Sequence, residues 1–334
     1  MSDELGNESD RTQEVAYLVD CEVELAEYRK PKELRRGRKL RLDAKYLRED
    51  QVSVYNPSII FRQNGEEYIA ARVEPISKEG EVESLVLFFR RDGEEWTPLD
   101  KPIFELQDPN ITWIDGQMVF SGTEIKPGES DGEILYRSVF YAGKDFNDLD
   151  RKAEGPWGMK GIRLVKLIDG KIGVYTRPQG EKGRKGQIGF TTVDSLEGFF
   201  KDAMDIVEKA PLLSTRFPND EWGGVNQVIQ LPDGRNLIIG HRAYKDDLNK
   251  RHYYPWAFIH EPFTGEIVDL GILAERSDFP PGPAKAHDLE DVVYPAGIVK
   301  RDGKWFLIAG LSDTQAGEIE IEDPLNSTAI GKEN

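Results

Sequence analysis

Cysteine, histidine and long apolar segments are scarce in this chain of 334 residues, and each shortage excludes a class of protein. Cys21 is the only cysteine, so the chain cannot form an intrachain disulfide or a cysteine-based zinc site. The four histidines show no close metal-ligand spacing, and we expect neither a metal nor another cofactor. The longest apolar runs, such as residues 305–311, are far too short to span a bilayer.

Basic residues are outnumbered by acidic ones, and the formal net charge is −17 at pH 7. This balance argues against nucleic acid or an anionic membrane surface as the main partner, although it leaves room for a local basic pocket that binds a small anion. No signal-like apolar segment follows Met1, so we expect a cytoplasmic protein. A hydrophobic content of 38% is sufficient for a packed core.

A hairpin pattern recurs five times along the chain, each copy consisting of an apolar strand, a Gly-containing turn and a second apolar strand. The turn glycines are Gly65, Gly116, Gly170, Gly234 and Gly303, at intervals of 51, 54, 64 and 69 residues. Asn-Gly and Asp-Gly between alternating strands are strong hairpin signals, because both residues tolerate positive φ. Repeats of about this length are typical of propeller blades.

The repeat therefore predicts an all-β fold, a five-bladed β-propeller with a central active-site funnel. We expect one domain over residues 13–325, with a disordered N-terminal tail at 1–12 and a C-terminal tail at 326–334. The alternative is a β-sandwich with coincidental hairpins. Residues 195–210 favour a short helix, since their apolar residues are loosely helix-spaced.

Alignment of the five copies on their turn glycines brings polar residues into phase. Seven residues after each glycine are Arg72, Thr123, Arg177, His241 and Gly310. Eight to ten residues before it are Asn56, Asp108, Lys160, Asn226 and Tyr294. Equivalent positions in successive blades form rings around the central axis, so several cations and one acid would converge on the mouth of the funnel. The alternative is that strand ends are commonly polar without having a function.

Asp108 lies in the segment LQDPNIT, which resembles the Glu-Asp-Pro-Arg-Ile motif that holds the proton donor of glycoside hydrolase family 130. The similarity extends to NPSII, KGIRLVKLIDGKIGVYTRP, DVVYPAG and GLSDT. The segments VYNPS, ARVEP, EWGGVNQV, GHRAY and DLEDVVYPAG are similar to the mannosyltransferase/phosphorylase family, glycosyltransferase family 108. Two positions depart from the hydrolase motif: Gln107 stands in place of the Glu, and Asn110 in place of the Arg, which removes one cation.

The resemblance implies an inverting β-mannoside phosphorylase or mannosyltransferase, a hexosyltransferase that acts on a β-1,2 linkage and reversibly gives mannose 1-phosphate. Such an enzyme needs only one acid, because phosphate is already an anionic nucleophile, together with several cations to hold it. We assign Asp108 as the general acid, with a proton relay through a sugar hydroxyl implied by the resemblance. The predicted phosphate-binding residues are Arg72, Lys160, Arg177, His241 and Arg242. The predicted substrate-binding residues are Asn56, Glu74, Asn226, Asp291, Tyr294 and Asp313.

The expected partners are a mannoside or oligosaccharide and inorganic phosphate or mannose 1-phosphate, while a homo-oligomer is left open. Four tryptophans could stack on sugar faces or be buried between blades: Trp113, Trp157, Trp222 and Trp256.

Three alternatives on a similar scaffold remain. A β-mannosidase that uses water needs a second carboxylate, for which Glu74, Glu124 and Asp291 are candidates. A non-catalytic carbohydrate- or protein-binding propeller would lack the in-phase acid. Furanosidase-like chemistry would require three carboxylates.

Overall fold

The computed structural model describes residues 16–29, 36–42, 52–75, 84–130, 132–218 and 220–326. Strands dominate these residues, which confirms the all-β fold class. The predicted N-terminal tail and residues 327–334 of the predicted C-terminal tail lie outside this part of the chain, whereas Asn326 ends a 3-10 helix. No helix within the described ranges has the length and apolar character that a membrane span requires.

The strands follow one another along the whole described chain. Those before residue 105 are β1 (Ala16–Tyr17), β2 (Arg38–Lys39), β3 (Arg41–Leu42), β4 (Val52–Tyr55), β5 (Phe61–Gln63), β6 (Glu66–Pro75), β7 (Leu85–Asp92) and β8 (Glu95–Phe104). The next are β9 (Gln107–Ile114), β10 (Gln117–Pro127), β11 (Ile134–Gly143), β12 (Asp150–Glu154), β13 (Arg163–Lys166), β14 (Ile172–Thr176), β15 (Gly189–Val193) and β16 (Thr215–Arg216). The last are β17 (Trp222–Gln230), β18 (Asn236–Lys245), β19 (Arg251–His260), β20 (Ile267–Ile272), β21 (Asp291–Arg301), β22 (Lys304–Leu311) and β23 (Gln315–Ile321).

Helices occupy little of the described chain. The α-helices are α1 (Cys21–Tyr28), α2 (Gly180–Gly183) and α3 (Leu196–Lys209). The 3-10 helices are Arg276–Asp278, His287–Leu289 and Pro324–Asn326. α3 confirms the helix predicted over residues 195–210, and its N-cap Ser195 accepts a hydrogen bond from the Gly198 amide at 3.0 Å.

Antiparallel pairing of neighbouring strands divides the chain into five consecutive units. Unit one contains β4 to β8, unit two β9 to β12, unit three β13 to β15 and unit four β17 to β20. Unit five contains β21 to β23 and is extended by β2, which comes from the N-terminal part of the chain. Units four and five are joined into one eight-stranded sheet by a short parallel pairing of β19 with β21.

The five predicted turn glycines all have positive φ, between 79° and 93°. At Gly65, Gly116 and Gly303 the preceding Asn or Asp also has positive φ, about 50°. Two consecutive residues with positive φ make the type I′ turn, whose twist matches that of the flanking strands. These hairpins confirm the sequence prediction and fix the first two strands of three units.

The units pack in a closed cycle. β9 contacts β6 and β13, β13 contacts β17, and β17 contacts β21, while β22 and β23 of unit five return to β4 of unit one. A hydrophobic cluster lies between each successive pair of units, including the last pair and the first. Ile60 and Leu87 of unit one, for example, pack in one cluster with Ala296 and Ile308 of unit five. Each sheet thus buries both of its faces against its neighbours, which no single unit could do alone.

A buried ion cluster holds α1 against unit four. Arg242 is fully buried and contacts the carboxylate of Glu24 on α1 and, at 2.6 Å, that of Glu221. Asp269 lies 4.0 Å from the same guanidinium, and Glu221 also accepts a hydrogen bond from the Cys21 amide at 2.6 Å. One cation cannot neutralise three carboxylates. Burial accordingly raises the pKa of Glu24 to about 8 against the opposing charge of Arg242, and burial also raises the pKa of Glu221 and Asp269.

This cluster makes the stability of the fold depend on pH. The pKa of Glu24 is higher in the folded chain than the ordinary value of about 4.3, so its stabilising contribution is complete below that pH and is lost as the pH rises toward 8. Glu24→Gln, which mimics the protonated carboxyl, should remove this loss. Between pH 5 and pH 8 the wild-type free energy of unfolding should fall more steeply than that of the variant, by at most about 1.4 kcal/mol per pH unit.

Urea denaturation at a series of pH values measures this difference. Glu320→Gln, at an exposed carboxylate paired with Lys304 at 2.8 Å, is the control and should follow the wild-type profile. Parallel profiles for wild type and Glu24→Gln would show that Glu24 is ionised throughout the range.

Candidate active site

A cavity of ≈ 260 Å³ receives side chains from all five units. Its lining residues are Asn56, Arg72, Asp108, Tyr136, Lys160, Arg177, Gln179, Lys185, Trp222, His241, Arg251, Tyr253, Leu289, Val292, Tyr294 and Asp313. Five of these side chains are Lys or Arg and two are carboxylates, so a local basic pocket exists in an acidic chain. A larger cleft of ≈ 1000 Å³ lies between units one and five, and its lining does not include Asp108.

Asp108 is the carboxylate around which the cavity is organised. Its side chain is 10% exposed, and Oδ1 accepts hydrogen bonds from Asn56 Nδ2 at 2.9 Å and from Arg72 Nη1 at 3.3 Å. The Lys160 ammonium lies 3.9 Å from Oδ2. Burial pulls the pKa of Asp108 upward, but Arg72, Lys160 and the Asn56 amide outweigh it and hold the pKa below its ordinary value. With no ligand in the cavity, Asp108 is therefore ionised at neutral pH.

Backbone strain is concentrated at this cavity. Asn56, Asp108 and Asp313 all line it and have φ values of 42°, 51° and 52°, in the left-handed region. Ser312, next to Asp313, has φ 51°. A non-glycine residue in a sparsely populated region costs on the order of 1–3 kcal/mol, and such residues cluster at functional sites. Asp108 lies at the start of β9, whereas Asn56 and Asp313 follow the ends of β4 and β22, and all three side chains line the cavity.

Glycines make the space that two cavity residues occupy. The in-phase position of the fifth copy is Gly310, where an added Cβ would lie 2.0 Å from Asn56 Oδ1. A Cβ on Gly224 would lie 2.8 Å from Cδ of Arg177. Arg177 crosses the glycine pair and donates from Nε to the carbonyl oxygen of Gly223 at 2.7 Å. The two glycines of the EWGG segment, Gly223 and Gly224, thus leave room for the Arg177 side chain.

His241 lines the cavity but is not a cation. Its pKa is well below the ordinary value, because the ring is buried and because Arg177, Arg163 and Lys160 are close. Nδ1 lies 2.7 Å from Oδ1 of Asn226, which can only accept, so Nδ1 carries the proton. Nε2 is buried and has no partner among the described residues, and it is therefore a free acceptor. The sequence prediction that His241 contributes a positive charge is corrected: it presents a neutral ring.

Four further predicted residues do not line the cavity. Arg242 follows His241 on β18, and since successive strand residues face opposite sides, it joins the ion cluster with Glu24. Its assignment to the phosphate site is wrong for that reason. Asp291 contacts His252 Nδ1 at 2.7 Å and the Tyr254 hydroxyl at 2.6 Å, also outside the lining.

Glu74 and Asn226 lie directly behind the lining residues. The Glu74 carboxylate accepts a hydrogen bond from Arg72 Nε at 2.7 Å, behind the wall of the cavity. The carbonyl oxygen of Asn226 accepts from Asn110 Nδ2 and from Arg163 Nε, both at 2.9 Å. Asn110, which departs from the hydrolase-family motif, therefore ties β9 to β17. Both predicted sugar ligands are in positions that orient other residues.

Several lining residues were not singled out from the sequence: Tyr136, Gln179, Lys185, Arg251, Tyr253, Leu289 and Val292. Gln179 and Lys185 belong to the irregular segment around α2, and the Tyr136 hydroxyl donates to Gln179. Arg251 and Tyr253 lie on β19, the third strand of its unit. The segment around α2 and the strand β19 both lie outside the first two strands of a copy, so the hairpin phase could not identify these four residues.

The four tryptophans separate into different environments. Trp222 lines the cavity, and its Nε1 donates to the Tyr253 hydroxyl at 3.0 Å. Trp256 is fully buried in the core, Trp113 packs against Phe61 on the protein surface, and Lys126 lies over the ring of Trp157. Trp222 alone among the four is placed to meet a ligand in this cavity.

No group of three or more His, Cys, Asp or Glu side chains within the described ranges is arranged to hold a metal ion. The chemistry available at the cavity is that of one ionised carboxylate, a second carboxyl at Asp313, and the surrounding cations and neutral donors. Burial and the charge of Asp108 raise the pKa of Asp313 above its ordinary value. The pKa values of the two carboxyls are thus shifted in opposite directions, which suits them to different roles.

Comparisons with known proteins show the family of the chain. The sequence matches the family described as a protein of unknown function, DUF1861, over residues 27–327, while no curated protein matches it. MPT-4, a mannose phosphorylase from Leishmania mexicana solved with phosphate ion, is 31% identical with a TM-score of 0.79, covering 93% of this chain and 95% of that one. MPT-1, a GDP-Man-dependent mannosyltransferase from the same organism, is 31% identical with a TM-score of 0.80, covering 93% and 98%.

A more distant structure shares the fold alone. The β-1,2-mannobiose phosphorylase from Listeria innocua is 16% identical with a TM-score of 0.59, covering 82% of this chain and 92% of that one. The family match and the two Leishmania structures show the family: the chain belongs to the DUF1861 family and, with MPT-4 and MPT-1, to the mannosyltransferase/phosphorylase family.

Proposed function

We propose that the protein is an inverting β-mannoside phosphorylase that reversibly gives mannose 1-phosphate, with a β-1,2 linkage as its substrate. The observation that carries the proposal is a single ionised carboxylate, Asp108, held among Arg72, Lys160 and Arg177 in a cavity of ≈ 260 Å³. The two Leishmania relatives, one a mannose phosphorylase and one a mannosyltransferase, support the same chemistry.

We also propose that the five units are the blades of a β-propeller and that the cavity is the mouth of its central funnel. The cyclic packing of the units and the five clusters between them support this arrangement. So does the pairing of β2 with β23, which joins the two ends of the chain in one sheet. Around such an axis, side chains from all five units reach one cavity, as they do here.

The phosphate subsite is formed by Arg72, Lys160 and Arg177. Arg72 Nη1 and the Lys160 ammonium both face Asp108, and a phosphate oxygen that approached these cations would be matched by two different donor types. Arg177 is held by the Gly223 carbonyl and adds a guanidinium suited to bidentate binding. His241 does not belong to this subsite, since its ring is neutral.

The sugar subsite is formed by neutral groups around the same carboxylate. Asn56, Tyr294 and the Nε2 acceptor of His241 can bind sugar hydroxyls, and Trp222 offers an aromatic face. Asp313 lines the same cavity and adds a carboxyl that can hydrogen-bond a sugar hydroxyl. Asn226 orients His241 from behind.

In phosphorolysis, a phosphate oxygen attacks the anomeric carbon from the face opposite the glycosidic bond while Asp108 provides the proton for the leaving oxygen, directly or through a sugar hydroxyl. The C–O bond to the leaving sugar breaks as the C–O bond to phosphate forms, so configuration inverts. Bound phosphate offsets the charge of Arg72 and Lys160, which otherwise lower the pKa of Asp108, and thereby favours the protonated acid. In synthesis, the ionised Asp108 takes the proton of the acceptor hydroxyl.

Hydrolysis is the second candidate. It needs a second carboxylate as base, and the three candidates from the sequence are occupied elsewhere: Glu74 by Arg72, Glu124 by Arg137, and Asp291 by His252. Asp313 lines the cavity, but burial and the charge of Asp108 raise its pKa, so it ionises less readily than Asp108.

Dependence on inorganic phosphate separates the two reactions. With a β-1,2-mannobiose substrate, we expect mannose 1-phosphate to accumulate in proportion to turnover and to vanish in phosphate-free buffer. Ion chromatography of the products measures this. Free mannose released at an undiminished rate without phosphate would establish a hydrolase instead.

Asp108→Asn should lower turnover by about 10²–10⁴-fold, because general acid–base catalysis contributes this much, while asparagine tolerates the same positive φ. Asp115→Asn is the matched control, since Asp115 also has positive φ (50°) but is paired with Lys166 in an exposed hairpin turn. Initial rates in both reaction directions measure the effect. An Asp108→Asn enzyme that retained more than a tenth of the control's turnover would contradict the assignment.

A further inference from the structure

The Glu74 carboxylate receives five hydrogen bonds from side chains, although it does not line the cavity around Asp108. It is 1% exposed, and Oε1 accepts from Nε and Nη2 of Arg72 and from the Ser84 hydroxyl. Oε2 accepts from the Tyr55 hydroxyl and from the Lys285 ammonium. Two cations and two hydroxyls therefore converge on one buried carboxylate immediately behind the phosphate subsite.

This arrangement fixes the direction of the Arg72 guanidinium. Glu74 holds Nε and Nη2, so the remaining nitrogen, Nη1, points toward Asp108, 3.3 Å from Oδ1. The ring of Tyr55 lies against the guanidinium, 5.0 Å from its central carbon, and limits rotation. An arginine held in this way needs little reordering when an anion binds to its free edge.

Lys285 comes from a different unit. It lies in the loop between the 3-10 helices Arg276–Asp278 and His287–Leu289, and its amide donates to the Ser312 carbonyl at 3.0 Å. The same loop leads to Leu289, which lines the cavity, and Ser312 precedes Asp313. Lys285 therefore connects one wall of the cavity to the support of Arg72.

The charges around Glu74 explain why a cation besides Arg72 is needed to stabilise its carboxylate, and Lys285 is that cation. Arg72, on its own strand, is shared with Asp108, and Asp313 is a further acid close to Arg72. Tyr55 from β4 and Ser84 contribute neutral hydroxyls. Burial pulls the pKa of Glu74 upward, and Arg72, Lys285, Ser84 and Tyr55 together hold it below the ordinary value. Lys285 contacts Glu74 and donates to the Tyr55 hydroxyl at 3.1 Å. Its charge also lowers the pKa of Asp313, so removing Lys285 takes a cation away from both Glu74 and Asp313.

We propose that Glu74 is a positioning residue that aims Arg72 at the bound phosphate, and that the Lys285 ammonium, in contact with Oε2, stabilises the Glu74 carboxylate in that role. The inference rests on the proposed function of the cavity. It reassigns Glu74 from the predicted sugar ligands and adds Lys285, which no sequence pattern indicated. Neither residue touches the substrate, and both act through Arg72.

The test compares Lys285→Met, Lys285→Arg and Glu74→Gln with wild type between pH 5.5 and pH 8. The dissociation constant of inorganic phosphate is measured by titration calorimetry, and KM for phosphate and kcat by initial rates. Values are taken as variant-to-wild-type ratios at each pH, so the ionisation of phosphate itself cancels. Lys304→Met, in an exposed pair with Glu320, is the matched control.

For Lys285→Met, we expect phosphate binding to weaken by less than about threefold at pH 8 and by about tenfold or more at pH 5.5, because Glu74 then takes up a proton at a higher pH. Glu74→Gln should weaken binding by about tenfold at every pH, since it is neutral throughout. Lys285→Arg should restore most of the affinity. In all three variants kcat should change less than KM, and near-ultraviolet circular dichroism should be unchanged.

A Lys285→Met ratio that stays constant with pH, or a Lys285→Arg enzyme no better than Lys285→Met, would overturn the inference. If Arg72→Met abolishes phosphate binding while the Lys285 and Glu74 variants keep wild-type affinity, the phosphate subsite stands and only the positioning role fails. If wild type binds no phosphate at any pH, the proposed function fails together with the inference.

Discussion

The structure depends on keeping one carboxylate ionised in a place that water hardly reaches. Asp108 is 10% exposed, and burying a carboxylate without compensation costs more than a fold of this size can supply. Arg72, Lys160 and Asn56 provide that compensation from units one and three. Because the compensating groups come from different units, the electrostatic centre forms only when the first three units pack together. The site therefore forms only as the fold itself forms.

Part of the free-energy cost of assembling the site is strain in the backbone. Asn56, Asp108 and Asp313 adopt left-handed conformations, and the five hydrophobic clusters between units hold the strands that carry them. Backbone strain of this kind persists only where many surrounding contacts hold the strained conformation in place. A closed cycle of sheets is well suited to this, since each unit is fixed on both sides by its neighbours.

The sequence predicted the parts of this site that follow the hairpin repeat. The Asn-Gly and Asp-Gly turns fixed the phase of the first two strands, and that phase identified Asn56, Arg72, Asp108 and Arg177. Arg242 was misassigned although strand alternation places it on the face opposite His241. The charge of His241 depends on burial beside Arg163 and Arg177, which no spacing reveals. Lys185, Arg251 and Lys285 come from loops or a third strand, outside the repeat.

The ion cluster around Arg242 in unit four and the lining of the cavity both combine basic and acidic side chains, but in opposite proportions. Arg242 meets more carboxylates than it can neutralise, so burial raises the pKa of Glu24, Glu221 and Asp269. At the cavity the lining cations outnumber the carboxylates, and Asp108 stays ionised. A surplus of acids makes a cluster that anchors α1, whereas a surplus of cations leaves positive charge that an anion can satisfy. The direction of a single pKa does not separate the two places, since burial and the charge of Asp108 raise the pKa of Asp313 within the cavity. The surplus of lining cations over carboxyls is what favours the cavity around Asp108 as the place where phosphate would bind.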